Sequence, residues 1–263
     1  MERPARTLIL SPRHSEDSRL MRQAAARAGW RVVRLPGWRV AAAGPLPGPV
    51  AIYGEALFVE AIADQLGRAL VQPALDWLAR LPAPYRRRDV EFTTLAEART
   101  RAGPLFIKPA DTKCFAARVY PSGQALPRPA ELPEDTPTLV SEPVEWALEF
   151  RCFVADRRVR ARSIYARDGA LAQRGGARPC APEEERGALA FAEALLADAA
   201  VELPTSVVLD VGLIRGRGWA AVELNPAWGS GLYGCDPAGA LAVIEDTVTT
   251  RAGAPAPDDS HMS

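Results

Sequence analysis

The sequence predicts a mixed fold, α/β at its start and α+β afterwards. Three observations predict it. The opening third alternates short apolar runs with helical stretches, as parallel sheets require. Between residues 138 and 165, strand-like runs follow one another through short links, which favours antiparallel pairing. Late in the chain a helix rich in Ala, Leu and Glu precedes two strands around the turn RGRG.

Residues 7–10 form a short apolar strand. Ser15 or Asp17 can cap a helix reaching about Ala28, which Gly29 stops, and 30–35 is the next strand. The Pro- and Gly-rich stretch 36–49 must be loop, 50–53 is a strand, and 56–70 has the pattern of an amphipathic helix. Residues 75–81 look helical, a proline-flanked linker runs to Arg88, and a helix over 94–102 leads into a strand at 104–107. Strands are then expected at 117–120, 138–142, 149–155 and 159–165. A helix over 183–200, strands at 206–214 and 219–224, and a final helix over 237–250 complete the list. From Ala252 the tail is Pro, Asp and Ser and is expected to be disordered, and its last residues, SHMS, are either native or vector-encoded.

With 263 residues, 48% hydrophobic and 24% charged, the chain has enough apolar material for a core, which argues against disorder. Lys plus Arg and Asp plus Glu number 32 each, so net charge points to neither a nucleic acid nor an anionic membrane. The uncharged run 40–52 is broken by three prolines and cannot be a signal or membrane segment. A soluble, cytoplasmic protein is the expectation. The four cysteines, Cys114, Cys152, Cys180 and Cys235, are widely spaced and read as reduced thiols. With only His14 and His261, a zinc site or an imidazole-based triad has little to draw on.

All basic residues but two are arginine. The exceptions, Lys108 and Lys113, stand five apart in FIKPADTKCF. Lysine is a compact point charge, suited to gripping a phosphate, although two solvated loop lysines would look the same. Further on, Asp210 closes SVVLD, and Glu223 and Asn225 close VELN. The last two differ by two positions and so share a strand face. Carboxylates with an amide oxygen suit a hard cation such as Mg²⁺, though ordinary strand-end residues fit the same pattern. Oxygen donors and lysines together imply a nucleotide triphosphate.

On these motifs the sequence resembles the ATP-grasp superfamily, over about residues 104–250, with a matching smaller unit in front. The resemblance implies an ATP-grasp fold behind a small parallel α/β domain of pre-ATP-grasp type. It divides the chain into residues 1–90, an ATP-grasp domain at 91–251 with its hinge near 142–149, and the tail 252–263. FIKP resembles the strand of the nucleotide-binding lysine, here Lys108. SEPVEWALEF resembles the hinge, where Glu142 and the backbone near Val144 would meet adenine and Glu149 the ribose. LDVG with VELNP is similar to the metal hairpin of D-alanine:D-alanine ligases, assigning Asp210, Glu223 and Asn225 to Mg²⁺.

The most similar subgroup is the clade named for one arginine and two lysines, which Arg151, Lys108 and Lys113 fit. Two departures accompany the resemblance. ADTKCF lacks the Gly/Ser-rich phosphate turn, so Lys113 would clamp phosphate instead of backbone amides. Val208 stands where D-alanine:D-alanine ligases carry an arginine, so Arg151 would stabilise the transition state.

The implied reaction is an ATP-dependent carboxylate–amine ligation through an acyl phosphate. Such chemistry needs positioning and charge more than imidazole, consistent with so few histidines. In NPAWGSGLYG, Ser230 and Gly231 are the candidate substrate contacts, while Trp228 and Tyr233 read equally as site or as core. Expected partners are small-molecule or peptide carboxylates and amines. The same motifs would serve a phosphotransferase or a nonenzymatic ATP-binding protein, and the oligomeric state stays open, a homodimer being one option.

Overall fold

A buried apolar strand, β1 (Thr7–Leu10), organises the first unit of this computed structural model, which describes residues 6–44, 46, 48–111, 113–128, 130–172 and 178–250. Helix α1 (Glu16–Arg27) follows it. Ser15 caps this helix by accepting from the Ser18 N–H, and the Ser18 hydroxyl accepts from Ser15 in return. Strands β2 (Arg31–Arg34) and β3 (Val50–Tyr53) pair in parallel on either side of β1. Helix α2 (Ala56–Gln65) buries Phe58, Val59, Ile62 and Ala63 against this sheet. It is shorter than expected, because residues 68–70 form strand β4 (Arg68–Leu70).

The stretch expected as a linker is ordered. Helix α3 (Trp77–Arg80) buries Trp77 and Leu78 in the largest core, and helix α4 (Ala83–Arg86) replaces open chain. Strand β5 (Val90–Thr94), which the sequence reading passed over, leads into α5 (Leu95–Arg99), capped reciprocally by Thr94 and Glu97. With β6 (Leu105–Pro109), β7 (Arg118–Tyr120) and β8 (Pro137–Ser141) it makes an antiparallel sheet in the order β5-β8-β6-β7.

The larger antiparallel sheet comes next. It contains β9 (Trp146–Ala155), β10 (Arg158–Arg167) and β11 (Ala170–Leu171). After helix α6 (Pro182–Ala197) come β12 (Ser206–Ile214) and β13 (Gly218–Asn225), in the order β11-β10-β9-β12-β13. Along β9 the period-two alternation divides two cores. Leu148, Phe150, Cys152 and Val154 join the core beside α6, whereas Phe153 and Ala155 pack with Leu8, Met21 and Tyr53 of the first unit. The polar residues Glu149 and Arg151 share the second face.

Helix α7 (Pro237–Ile244) starts where the Asp236 side chain accepts from the Gly239 N–H. The helix expected to reach residue 250 also stops early. Strand β14 (Val248–Thr250) takes its end and pairs antiparallel with β4. Both overlong helix expectations thus fail at the same tertiary contact. Among the described residues no helix is long and apolar enough to cross a membrane. The tail 252–263, with SHMS, lies outside the described residues.

Candidate active site

Strand register brings the predicted charges together. Asp210 on β12 is opposite Arg151 on β9 and opposite Glu223 on β13, so three neighbouring strands aim them at one face. The Arg151 guanidinium donates from Nε to Asp210 Oδ1 at 2.9 Å and from Nη2 to Oδ2 at 2.6 Å. Lys108, arriving from β6 of the other sheet, donates to Glu223 Oε2 at 2.6 Å. Asn225 Nδ2 reaches Glu223 Oε1 at 2.9 Å and Asp210 Oδ2 at 3.4 Å. Asp210 does not end its strand, as the sequence suggested. It sits in the middle of β12 at 0% exposure, with Arg151 at 7%.

Burial and pairing set the ionisation of this cluster. Burial pushes the Asp210 carboxyl up to about 6 against the pull of Arg151, so at neutral pH it remains the anionic half of the pair. Burial also opposes the Arg151 charge, but Asp210 outweighs it and raises the guanidinium further. For Glu223, burial is overcome by Lys108 and Asn225, which hold the carboxyl down at about 2. Glu149 is raised by burial, countered by the Tyr165 hydroxyl, which donates to its Oε2 at 2.7 Å.

The remaining predicted residues lie around this cluster. Lys113 is exposed on the loop after β6. Glu142, just beyond β8, accepts from Arg217 on both oxygens, at 2.9 and 2.6 Å, and Arg217 lowers its pKa. Val144 is half-buried in the connection to β9. Ser230 is buried, its hydroxyl donating to the Pro226 carbonyl at 2.8 Å. The Gly231 carbonyl accepts from Arg151 Nη1 at 3.0 Å. The ambiguity over the two aromatics resolves differently for each. Trp228 is core, with its indole donating to the Val71 carbonyl, whereas Tyr233 is 37% exposed and lies 4.8 Å from the Arg151 guanidinium.

Sequence reasoning missed Tyr165, Asp17 and Arg217. Tyr165 stands at a register shift between Ile164 and Ala166 against β9, and such an irregularity re-aims a side chain with no signature in the sequence. Asp17 was read only as a cap. Its carboxylate accepts from the Leu232 N–H at 2.9 Å, tying the first unit to the glycine-rich segment.

The donor chemistry fits a hard cation. Among the described residues no three His, Cys, Asp or Glu side chains gather as a metal cage. Two carboxylates and an amide, with phosphate oxygens completing the shell, are nonetheless what Mg²⁺ accepts, since it seldom uses all-protein cages.

Comparison with known proteins identifies the family and the fold. Residues 85–243, more than half of the chain, match a family described as an ATP-grasp domain, the second family of the clade named for one arginine and two lysines, and the chain belongs to that family. No curated protein sequence matches the chain. Its fold is that of the RimK domain ATP-grasp protein from Sphaerobacter thermophilus DSM 20745, with a TM-score of 0.56 over 90% of this chain and 98% of that one, at 18% identity. The D-alanine–D-alanine ligase of Bacillus anthracis, solved with ATP, superimposes with a TM-score of 0.53 at 12% identity, covering 94% of this chain and 97% of its own. For N5-carboxyaminoimidazole synthetase of Staphylococcus aureus, solved with ADP, the values are 0.53, 11%, 92% and 77%. The chain thus has the fold of the ATP-grasp ligase superfamily.

Proposed function

We propose that the protein is an ADP-forming, ATP- and Mg²⁺-dependent ligase that activates a carboxylate as an acyl phosphate and joins it to an amine or another nucleophile. The observation that carries this reading is the Lys108–Glu223 contact. It joins the two sheets beside Asn225 and the Arg151–Asp210 pair, so cations and oxygen donors converge where triphosphate and metal would lie. Two of the solved structures with this fold are complexes with ATP or ADP.

In this reading Lys108 and Lys113 hold phosphates, Glu142 and Val144 meet adenine, and Glu149, steadied by Tyr165, takes the ribose hydroxyls. Asp210, Glu223 and Asn225 would hold Mg²⁺, which supplies charge neutralisation to the phosphates. A substrate carboxylate oxygen attacks the γ-phosphorus, the bond to ADP breaks, and the nucleophile then displaces phosphate from the acyl carbon. Arg151 faces the acyl phosphate oxygens, and Ser230 and Gly231 shape the substrate side. Small-molecule or peptide carboxylates and amines, and a cytoplasmic setting, belong to the same proposal.

Hydroxylamine trapping tests it. Incubation with ATP, Mg²⁺ and a panel of carboxylates should release ADP and yield a hydroxamate. A stable phosphate ester without hydroxamate would indicate a phosphotransferase, and AMP as product would remove the acyl-phosphate step. Glu223→Gln and Asn225→Ala should each abolish ADP release.

A further inference from the structure

The strand that carries Glu223 and Asn225 breaks its own alternation. On β13, Trp219 and Ala221 pack in the core beside α6, opposite Leu213 and Val211 of β12. A regular strand sends every second residue to the same side, so Glu223 and Asn225 would follow them into that core. They do not. Asp210 is opposite Glu223 while Val211 is opposite Ala221, which leaves Val222 as an extra residue with no counterpart on β12. After this bulge Leu224 takes the core side, opposite Leu209, and Glu223 and Asn225 turn to the face of Asp210. The candidate site exists because one residue is inserted at position 222.

One side chain grips that insertion. Arg88, in the link between α4 and β5, donates from Nη1 to the Ala221 carbonyl at 2.8 Å and from Nη2 to the Val222 carbonyl at 3.2 Å. Successive carbonyls of a regular strand point in opposite directions, so a single guanidinium reaches both only where the strand is irregular. β13 is also an edge strand, and carbonyls on its outer side depend on donors other than a neighbouring strand.

The guanidinium is itself fixed. Arg88 is 9% exposed, its Nη1 also donates to the Arg86 carbonyl at 3.0 Å, and its Cζ lies 5.0 Å from the centroid of the Trp146 ring at the start of β9. Burial lowers its pKa to about 10, still far enough above neutral pH for the group to keep its charge and its donors. Those donors all meet backbone carbonyls, so the buried charge serves to hold chain geometry.

We propose that Arg88 is a positioning residue for the candidate site: it fixes the bulge at Val222 and so holds Glu223 and Asn225 on the face of Asp210. What those side chains bind, Mg²⁺ with a nucleotide, rests on the ligase reading above, whereas the clamp itself does not.

The test compares wild type, Arg88→Met and Arg88→Lys. Hydrogen exchange of the ligand-free protein, read by mass spectrometry, should quicken over residues 218–226 in Arg88→Met while α6 keeps its protection. ADP affinity is then measured by calorimetry with and without Mg²⁺. Arg88→Met should cut the gain that Mg²⁺ confers by roughly 10-fold to 100-fold, as when a group orienting metal ligands is lost, and leave the Mg²⁺-free affinity unchanged. Lys, able to reach one carbonyl, should recover part of the gain. Combined with Glu223→Gln, the loss should be less than additive, because Arg88 acts through Glu223. Unchanged exchange over 218–226, an undiminished Mg²⁺ gain in Arg88→Met, or full additivity would each overturn the proposal. So would a fall in melting temperature and in both affinities together, the mark of a general structural role. If Mg²⁺ confers no gain on the wild type, the metal reading fails on its own, and the exchange comparison still decides the clamp. Should both variants fail to fold, wild-type NMR decides it: slowly exchanging Arg88 Nη protons close to Val222 support the clamp, and freely rotating ones remove it.

Discussion

Asp210 and Glu223 are neighbours in one cluster, yet they answer to different physics. Asp210 has no solvent contact and holds Arg151 by two prongs, so Asp210→Asn leaves a buried guanidinium without its counter-charge. Removing one partner of such a pair should cost about 3 kcal/mol, read as a lower denaturation midpoint in urea or guanidinium. Glu223 is partly exposed at the strand end, and Glu223→Gln should lose turnover with little change in stability. Thus the sequence reading named two residues that the fold brings together but misjudged the environment of one. A β-strand looks alike at its middle and its end until neighbouring strands cover it. Glu184 offers a test by pH. Arg167 grips both its oxygens and, with the Ala181 N–H, holds it down to about 2. Its folded pKa lies below its unfolded one, so its stabilising effect is complete above the ordinary carboxylate range and fades as pH falls towards 2. The difference in melting temperature between wild type and Glu184→Gln should therefore shrink as pH is lowered from about 6 to about 3.

At the scale of elements, β12 and β13 were legible because their apolar runs and turn are local. β4 and β14 were not. Each follows a helix whose apolar pattern carries on through it, and each becomes a strand only because the other lies beside it. Truncation after Thr247 should remove that pairing and the packing of Val248 on the first unit, lowering stability by roughly 2 kcal/mol as measured by chemical denaturation. A second test lies where β12 passes the start of β9. A Cβ on Gly212 would come within 2.5 Å of the Trp146 ring, which stacks 5.0 Å from the Arg88 guanidinium. Gly212→Ala should displace Trp146 and cost about 2 kcal/mol, with a changed tryptophan fluorescence spectrum as the local sign.

For the whole molecule, the two antiparallel sheets meet across the candidate nucleotide site through Lys108 and Glu223, so a ligand there should couple to global stability. ATP with Mg²⁺ at a hundred times its Kd should stabilise the fold by roughly 2.7 kcal/mol, seen as a rise in melting temperature. Lys108→Met should remove most of that rise. An equal ATP-dependent rise in the variant would place the triphosphate elsewhere.

What the sequence determined by itself was chemical and local. The two lysines in FIKPADTKCF, the Glu-x-Asn pair, the apolar runs of β1, β3 and β12, and the cap of α1 are short-range features, carried by residue type and spacing. Tertiary structure decided which of these meet. Register between distant strands set Arg151 against Asp210, a register shift turned Tyr165 towards Glu149, and the left-handed turn at Tyr233 put its ring beside two arginines. The physical reason is that strand pairing joins residues far apart in the chain. A one-residue slip would send every one of these side chains to the opposite face, and what prevents that slip is the packing of both cores together.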